Sequence, residues 1–190
     1  MKVDTIEEND DVLKVELSEA NDALANALRR SMMVKVETLA VKHIEVSKND
    51  SGLFDEVLAN RVGQIPFTIP DNIEEEDEIH VAVKREGPVD VVAEDIQTDD
   101  AEAEPVNPDT IIATLKEGQE IEFEGVAVLN TGDEHAKHQG GTVGYEKTGE
   151  GTYEFRIEST SGYSNEELFN TAVEKVLNEL DQFEEAIEDM

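Results

Sequence analysis

The feature that most constrains the fold of this chain is its charge imbalance. It carries 47 acidic residues against 15 lysines and arginines, a formal net charge of −32 over 190 residues. High charge with low hydrophobicity describes disorder unless the apolar residues are gathered where they can be buried together. Here they fall into clear periodic runs, so the sequence predicts a folded protein with an acid-coated surface. At this length it is one or two small domains with a real core. Such a coat repels itself in dilute buffer. At about 1 M salt the Debye length falls to about 3 Å and the repulsion is screened. A halophilic cytoplasm, where negative charge also maintains solubility, is the simplest context. The coat argues against direct DNA binding, which needs basic surface to replace counterions.

The apolar runs define the elements. Val12 to Leu17 alternates as a strand. Asn21 or Asp22 caps a helix whose Leu24, Ala27, Leu28, Ser31 and Met32 share one face, flanked by Arg29 and Arg30. Leu39 to Val46 reads as a second strand, and Pro66 disfavours helical backbone at Ile65. Ile79, Val81 and Val83 alternate with polar neighbours in a half-buried strand. Val89 to Val92, Thr110 to Leu115 and Ile121 to Leu129 suggest further strands, with Gly125 marking a bulge in the last. Residues 140–151 hold five glycines and read as a flexible turn region. Tyr153, Phe155 and Ile157 form another strand.

Ser164 and Glu167 then make a capping box. Behind it Phe169, Val173, Val176, Leu180, Phe183 and Ile187 follow a heptad-like spacing, widened by Leu168, Ala172 and Leu177. From spacing alone this seam serves equally as ordinary core or as a partner interface, and so does the face at Leu24 to Met32.

Function classes drop out one by one. The chain has no cysteine, so disulfides, thiolate zinc sites, iron–sulfur clusters and a cysteine nucleophile are excluded from it. No cofactor is expected. The N-terminal residues lack an apolar signal core and no apolar run approaches a membrane span, so a cytoplasmic location is expected. His135 and His138 stand three apart near Glu134, but without further ligands no metal site is assigned. The acidic runs lack calcium-loop spacing and the glycine-rich stretch lacks a phosphate-loop signature. No catalytic set emerges.

Three of the five arginines, Arg29, Arg30 and Arg61, sit in two short segments. Guanidinium suits planar, bidentate recognition of carboxylates. Two readings stand: the arginines pair with their own acidic surroundings, or they dock a partner.

The segments Asn26-Ala27-Leu28-Arg29-Arg30 and Leu53-Phe54-Asp55-Glu56-Val57-Leu58-Ala59-Asn60-Arg61-Val62-Gly63-Gln64-Ile65-Pro66-Phe67 resemble the signature of the RNA polymerase alpha-type assembly subunits, the family of the bacterial alpha and archaeal D subunits. Asp133-Glu134-His135-Ala136-Lys137-His138-Gln139-Gly140-Gly141 resembles its Glu-His-Ala-Lys segment, in a form associated with salt-loving archaea. Phe155-Arg156-Ile157-Glu158-Ser159 with the helix pattern behind it resembles the family's C-terminal end.

The resemblance implies an α+β fold: a discontinuous dimerisation domain of a sheet and two helices, at 1–49 and 149–190, interrupted by a mainly β insert domain at 50–148. It implies a non-catalytic scaffold of DNA-directed RNA polymerase, the nucleotidyltransferase of class EC 2.7.7.6, with activity only at the level of the complex. The implied partners are the small subunit L, through Leu24, Leu28, Met32, Phe169, Val173, Val176, Leu180 and Phe183, and the large subunits, through Arg29, Arg30, Arg61, Glu134, His135 and Lys137. Many archaeal D subunits carry a further domain with cysteine-ligated clusters. Here only the glycine-rich stretch stands in its place, a compact form. His138 stands where many relatives carry tryptophan. The competing reading from charge is a free-standing acidic adaptor or DNA mimic that binds basic partners.

Overall fold

Alternating burial sets out the strands, and helical-spaced burial the helices. The computed structural model describes residues 1–9, 11–74 and 76–188. In chain order these form β1 (Lys2–Glu8), β2 (Leu13–Ser18), α1 (Asp22–Arg30), a π-helical turn (Ser31–Lys35), β3 (Thr38–Asn49), α2 (Asp55–Gly63) and β4 (Pro66–Phe67). There follow β5 (Glu78–Glu86), β6 (Val89–Val92), β7 (Gln97–Thr98), β8 (Ile111–Leu115), β9 (Glu120–Asn130), β10 (Gly141–Gly149), β11 (Thr152–Ser159) and α3 (Asn165–Glu188). The fold is α+β with antiparallel sheets.

The chain divides into two compact units, Met1–Glu37 with Thr131–Met190, and Thr38–Asn130. These bounds differ from the expected 1–49, 149–190 and 50–148. Residues 38–49 belong to the second unit because β3 pairs with β9 from Thr38↔Asn130 to Asn49↔Ile121. Residues 141–148 belong to the first because β10 pairs with β11 from Gly141↔Ser159 onward.

In the first unit the sheet order is β1-β2-β11-β10. Leu13, Val15 and Leu17 of β2 and Tyr153, Phe155 and Ile157 of β11 turn one face toward Leu28, Met32, Leu168 and Ala172 from the helices. Asn21 caps α1, its side-chain oxygen accepting from the Leu24 amide at 2.9 Å. The Asp22 carboxylate accepts from the Tyr153 hydroxyl at 2.6 Å and from Lys147 at 3.1 Å, pinning the start of α1 to β10 and β11. These bonds hold Asp22 below the usual carboxylate range, the tyrosine contributing most. The Ser164–Glu167 capping box is present in both directions, at 2.8 and 3.2 Å.

The expected flexible turn is instead β10. A side chain at Gly140 would meet the Met32 carbonyl oxygen at 2.4 Å, and one at Gly141 the Glu158 carbonyl oxygen at 2.6 Å. These glycines permit close packing rather than motion. Edge strand β1 is exposed throughout, and its register shifts between Thr5 and Glu7. Its charges and this irregularity blunt further strand pairing.

In the second unit the five-stranded order is β4-β3-β9-β5-β7, with β6 and β8 as a separate pair. Ile79, Val81 and Val83 alternate into its core with Phe67, Ile112, Ile121 and Phe123. The expected irregularity at Gly125 lies on the partner strand: Gly125 itself pairs with Ile44, and the register shifts between Val41 and His43.

Candidate assembly surfaces

The apolar repeat of α3 divides at Val176. Leu168, Phe169, Ala172 and Val176 are buried in the first unit's own core, with Val173 partly buried beside them. Leu28 and Met32 of the α1 face are buried in the same core and Leu24 packs on it. Of the expected interface residues, these serve the fold of the unit itself. Beyond Val176 the repeat runs into solvent. Leu177 is 54% exposed, Leu180 56%, Phe183 65% and Ile187 54%.

Length explains the division. A helix of 24 residues spans about 36 Å at about 1.5 Å per residue. The central strand β2 has 6 residues, about 20 Å at about 3.3 Å per residue. The helix is longer than the strands beneath it, and its last turns have no apolar partner among the described residues of the unit.

Two ion pairs tie α3 to the π-helical turn and the segment after it where the burial ends. Lys35 meets Glu179 at 2.5 Å and Lys175 meets Glu37 at 3.0 Å. Within the core the Ser31 hydroxyl donates to the Ala172 carbonyl at 3.0 Å. The proximal half of α3 is thus fixed by packing and hydrogen bonds, and the distal half projects from it.

The same π-helical turn gathers two of the motif segments. It continues α1, whose last turn carries Arg29 and Arg30. The Asp133 amide donates to the Val34 carbonyl at 3.1 Å, and the Gly140 amide to the Met33 carbonyl at 3.2 Å. The Glu134–Lys137 segment is held between those two anchors. Glu134 and His135 are exposed. The His135 ring accepts from the Lys137 amide at 3.1 Å, which fixes the turn. His138 is buried, so the two imidazoles do not share one surface. Among the described residues no group of three or more histidine, aspartate or glutamate side chains is placed to hold a metal ion.

The arginines separate by environment. Arg85 pairs with Asp95 and Arg156 with Glu158. Among the described residues, none of Arg29, Arg30 and Arg61 forms an ion pair. An Arg29 nitrogen lies 2.9 Å from the Met33 sulfur, and Arg30 is exposed. Arg61 belongs to the second unit and donates to the Ile112 carbonyl at 2.9 Å, linking α2 to β8. It therefore has a structural task that spacing did not indicate. Sequence reading also passed over Phe54, which is 80% exposed at the start of α2.

No helix of the described residues is long and apolar enough to cross a membrane. Residues 34–145 match the RNA polymerase Rpb3/RpoA insert domain family. The chain is 39% identical over 152 residues to DNA-directed RNA polymerase subunit Rpo3 of Pyrococcus furiosus, covering 76% of this chain and 58% of that protein. It is 41% identical over 124 residues to the Rpo3 subunit of Natronomonas pharaonis, covering 65% and 50%. With the Rpo3 subunit of Halobacterium salinarum it shares 34% over 144 residues, covering 75% and 58%. The chain thus spans between 50% and 58% of the length of these relatives. From the 112-residue match, read with the antiparallel second unit that lies inside it, the chain belongs to the RNA polymerase Rpb3/RpoA insert domain family.

Proposed function

We propose that this chain is a non-catalytic assembly subunit of an archaeal DNA-directed RNA polymerase, of the D type. The observation that carries the reading is the solvent-exposed distal stripe of α3 on a chain whose relatives are named polymerase subunits. A monomeric soluble protein gains nothing from four large apolar side chains in a row on one helix, and such a patch marks an interaction surface. In this reading the first unit pairs with the small subunit L through the distal stripe, Leu180 and Phe183 at its centre. Arg29, Arg30 and the Glu134–Lys137 segment dock the large subunits, and Arg61 supports the fold of the second unit. Nucleotide transfer belongs to the assembled complex, and no cofactor is assigned to this chain.

The charge of −32 supports a halophilic cytoplasm as the setting. Arg29 and Arg30, without ion pairs among the described residues of so acidic a chain, favour docking over internal neutralisation. The adaptor reading leaves those arginines and the ordered motif segments without a task.

The test is purification of the tagged full chain from a haloarchaeal host in molar KCl, with mass spectrometry of the chains that co-elute. Co-elution of the largest polymerase subunits is expected. Recovery with basic proteins unrelated to polymerase overturns the reading in favour of the adaptor. Leu180→Asp is the informative variant, because it places a carboxylate in the proposed interface alone. Val176→Asp would instead break the unit's own core.

A further inference from the structure

We infer that the distal stripe of α3 is coded by charge: it accepts a helix from a different chain that carries lysines or arginines beside its own apolar seam, and it rejects a second copy of this chain. The inference rests on the assembly reading and names the chemistry of the partner at that face.

The stripe runs through residues 177–188, which hold five acids, Glu179, Asp181, Glu184, Glu185 and Glu188, and no lysine or arginine. Among the described residues only Glu179 of these meets a cation, Lys35. The spacing places Val173, Leu180 and Ile187 at one seam position of a heptad and Val176 and Phe183 at the other. Glu179 and Glu184 then fall on the two flanks that face a partner helix, where charge sets the choice of partner. A parallel self-pair sets Glu179 opposite Glu184 of the second copy. An antiparallel self-pair lines acid along acid, because neither helix supplies a cation after Lys175. Both arrangements oppose like charges and both are disfavoured.

The end of the helix adds to the same demand. Its last turn contains no basic residue. Glu184, Glu185 and Glu188 sit at the negative end of the helix dipole, the end at which cations are stabilising. A partner with basic flanks answers both the seam and the helix end. At high salt the long-range part of this preference is screened, while contacts at a dry seam are screened much less.

The test uses the full chain and two labelled helical peptides with one shared leucine–isoleucine seam, flanked in one by lysine and in the other by glutamate. Fluorescence anisotropy in about 1 M KCl reads the two affinities, and sedimentation velocity reads the chain alone. We expect the lysine-flanked peptide to bind at least about tenfold more tightly, a difference of about 1.4 kcal/mol. The chain alone should remain monomeric. Glu179→Lys, Glu184→Lys and Glu188→Lys together should reverse the preference, and Leu180→Asp with Phe183→Asp should abolish binding of the lysine peptide.

Equal affinities, a preference unmoved by the charge reversal, or self-association lost on Leu180→Asp would overturn the inference. So would lysine-peptide binding that survives Leu180→Asp with Phe183→Asp, since that is adhesion to the general acid coat. Polymerase subunits captured without any charge preference would sink this inference alone. An intact preference without capture would sink the assembly reading instead.

Discussion

The two halves of α3 continue one apolar repeat and meet opposite environments. Residues 168–176 are locked into the first unit by β2, β11 and α1, while residues 177–187 carry equally apolar side chains into solvent. Nothing in local propensity separates them. What separates them is the length of the sheet, which ends before the helix does. A periodic seam therefore records that a face is apolar, and the neighbouring elements decide whether that face belongs to the molecule's own core or to an interface. The arginines differ in a similar way. Both Arg61 and Arg30 are exposed, but Arg61 donates to a carbonyl within its own unit, whereas Arg30 has no ion pair among the described residues.

The largest effect that would break this comparison concerns two leucines of one helix. Leu168 is 0% exposed and Leu180 56%. Leu168→Ala should cost the isolated chain about 2–5 kcal/mol, the usual range for a buried leucine. Leu180→Ala should stay within about 0.5 kcal/mol, as at ordinary surface sites. Denaturant unfolding in high KCl reads both. Similar costs at the two positions would show that the distal stripe is covered within this chain.

The arginines should differ by less. Removing Arg61 loses a charged donor to the Ile112 carbonyl; bonds of this kind contribute about 1.5–3 kcal/mol, and because the arginine is itself exposed the cost should fall at the lower end of that range. Arg30→Ala should leave stability within about 0.5 kcal/mol and weaken capture of the large subunits. If Arg61→Ala unfolds no more easily than Arg30→Ala, the α2–β8 link is not structural.

The smallest effect concerns the capped end of α3. The Ser164 amide, and then its hydroxyl, hold the Glu167 carboxyl below the ordinary value of 4.5. The folded group then titrates at lower pH than the unfolded one. Its contribution is present above the unfolded value and is lost as pH falls through the folded value. Glu167→Gln should flatten the acid limb of stability below pH 4.5 relative to the parent chain. An unchanged acid limb would mean that the cap does not carry this part of the pH dependence.

Much of the fold was legible because its signals are local. The Ser164–Glu167 box, the Asn21 cap and the alternation at Ile79, Val81 and Val83 each rest on residues a few positions apart. Strand β1 was not legible, since every residue of it is exposed and carries no burial pattern. Strand β10 was hidden by its glycines, and the purpose of Gly141, and of Gly140 just before the strand, shows only when the Glu158 and Met32 carbonyls stand against them. The candidate site was legible as segments but not as roles. The partner of Arg61 lies 51 positions away in sequence, and the point where α3 leaves its core depends on strands that the helix sequence does not contain.

Amide hydrogen exchange on α3 tests the central claim most directly, comparing the isolated chain with the same chain in polymerase purified in high salt. The account predicts slow exchange for residues 165–176 in both samples. Residues 177–188 should exchange rapidly in the isolated chain, where an exposed helix end opens easily, and slowly in the complex. Slow exchange of 177–188 in the isolated chain, or equally fast exchange in both samples, would contradict the assignment of the distal stripe as the docking face.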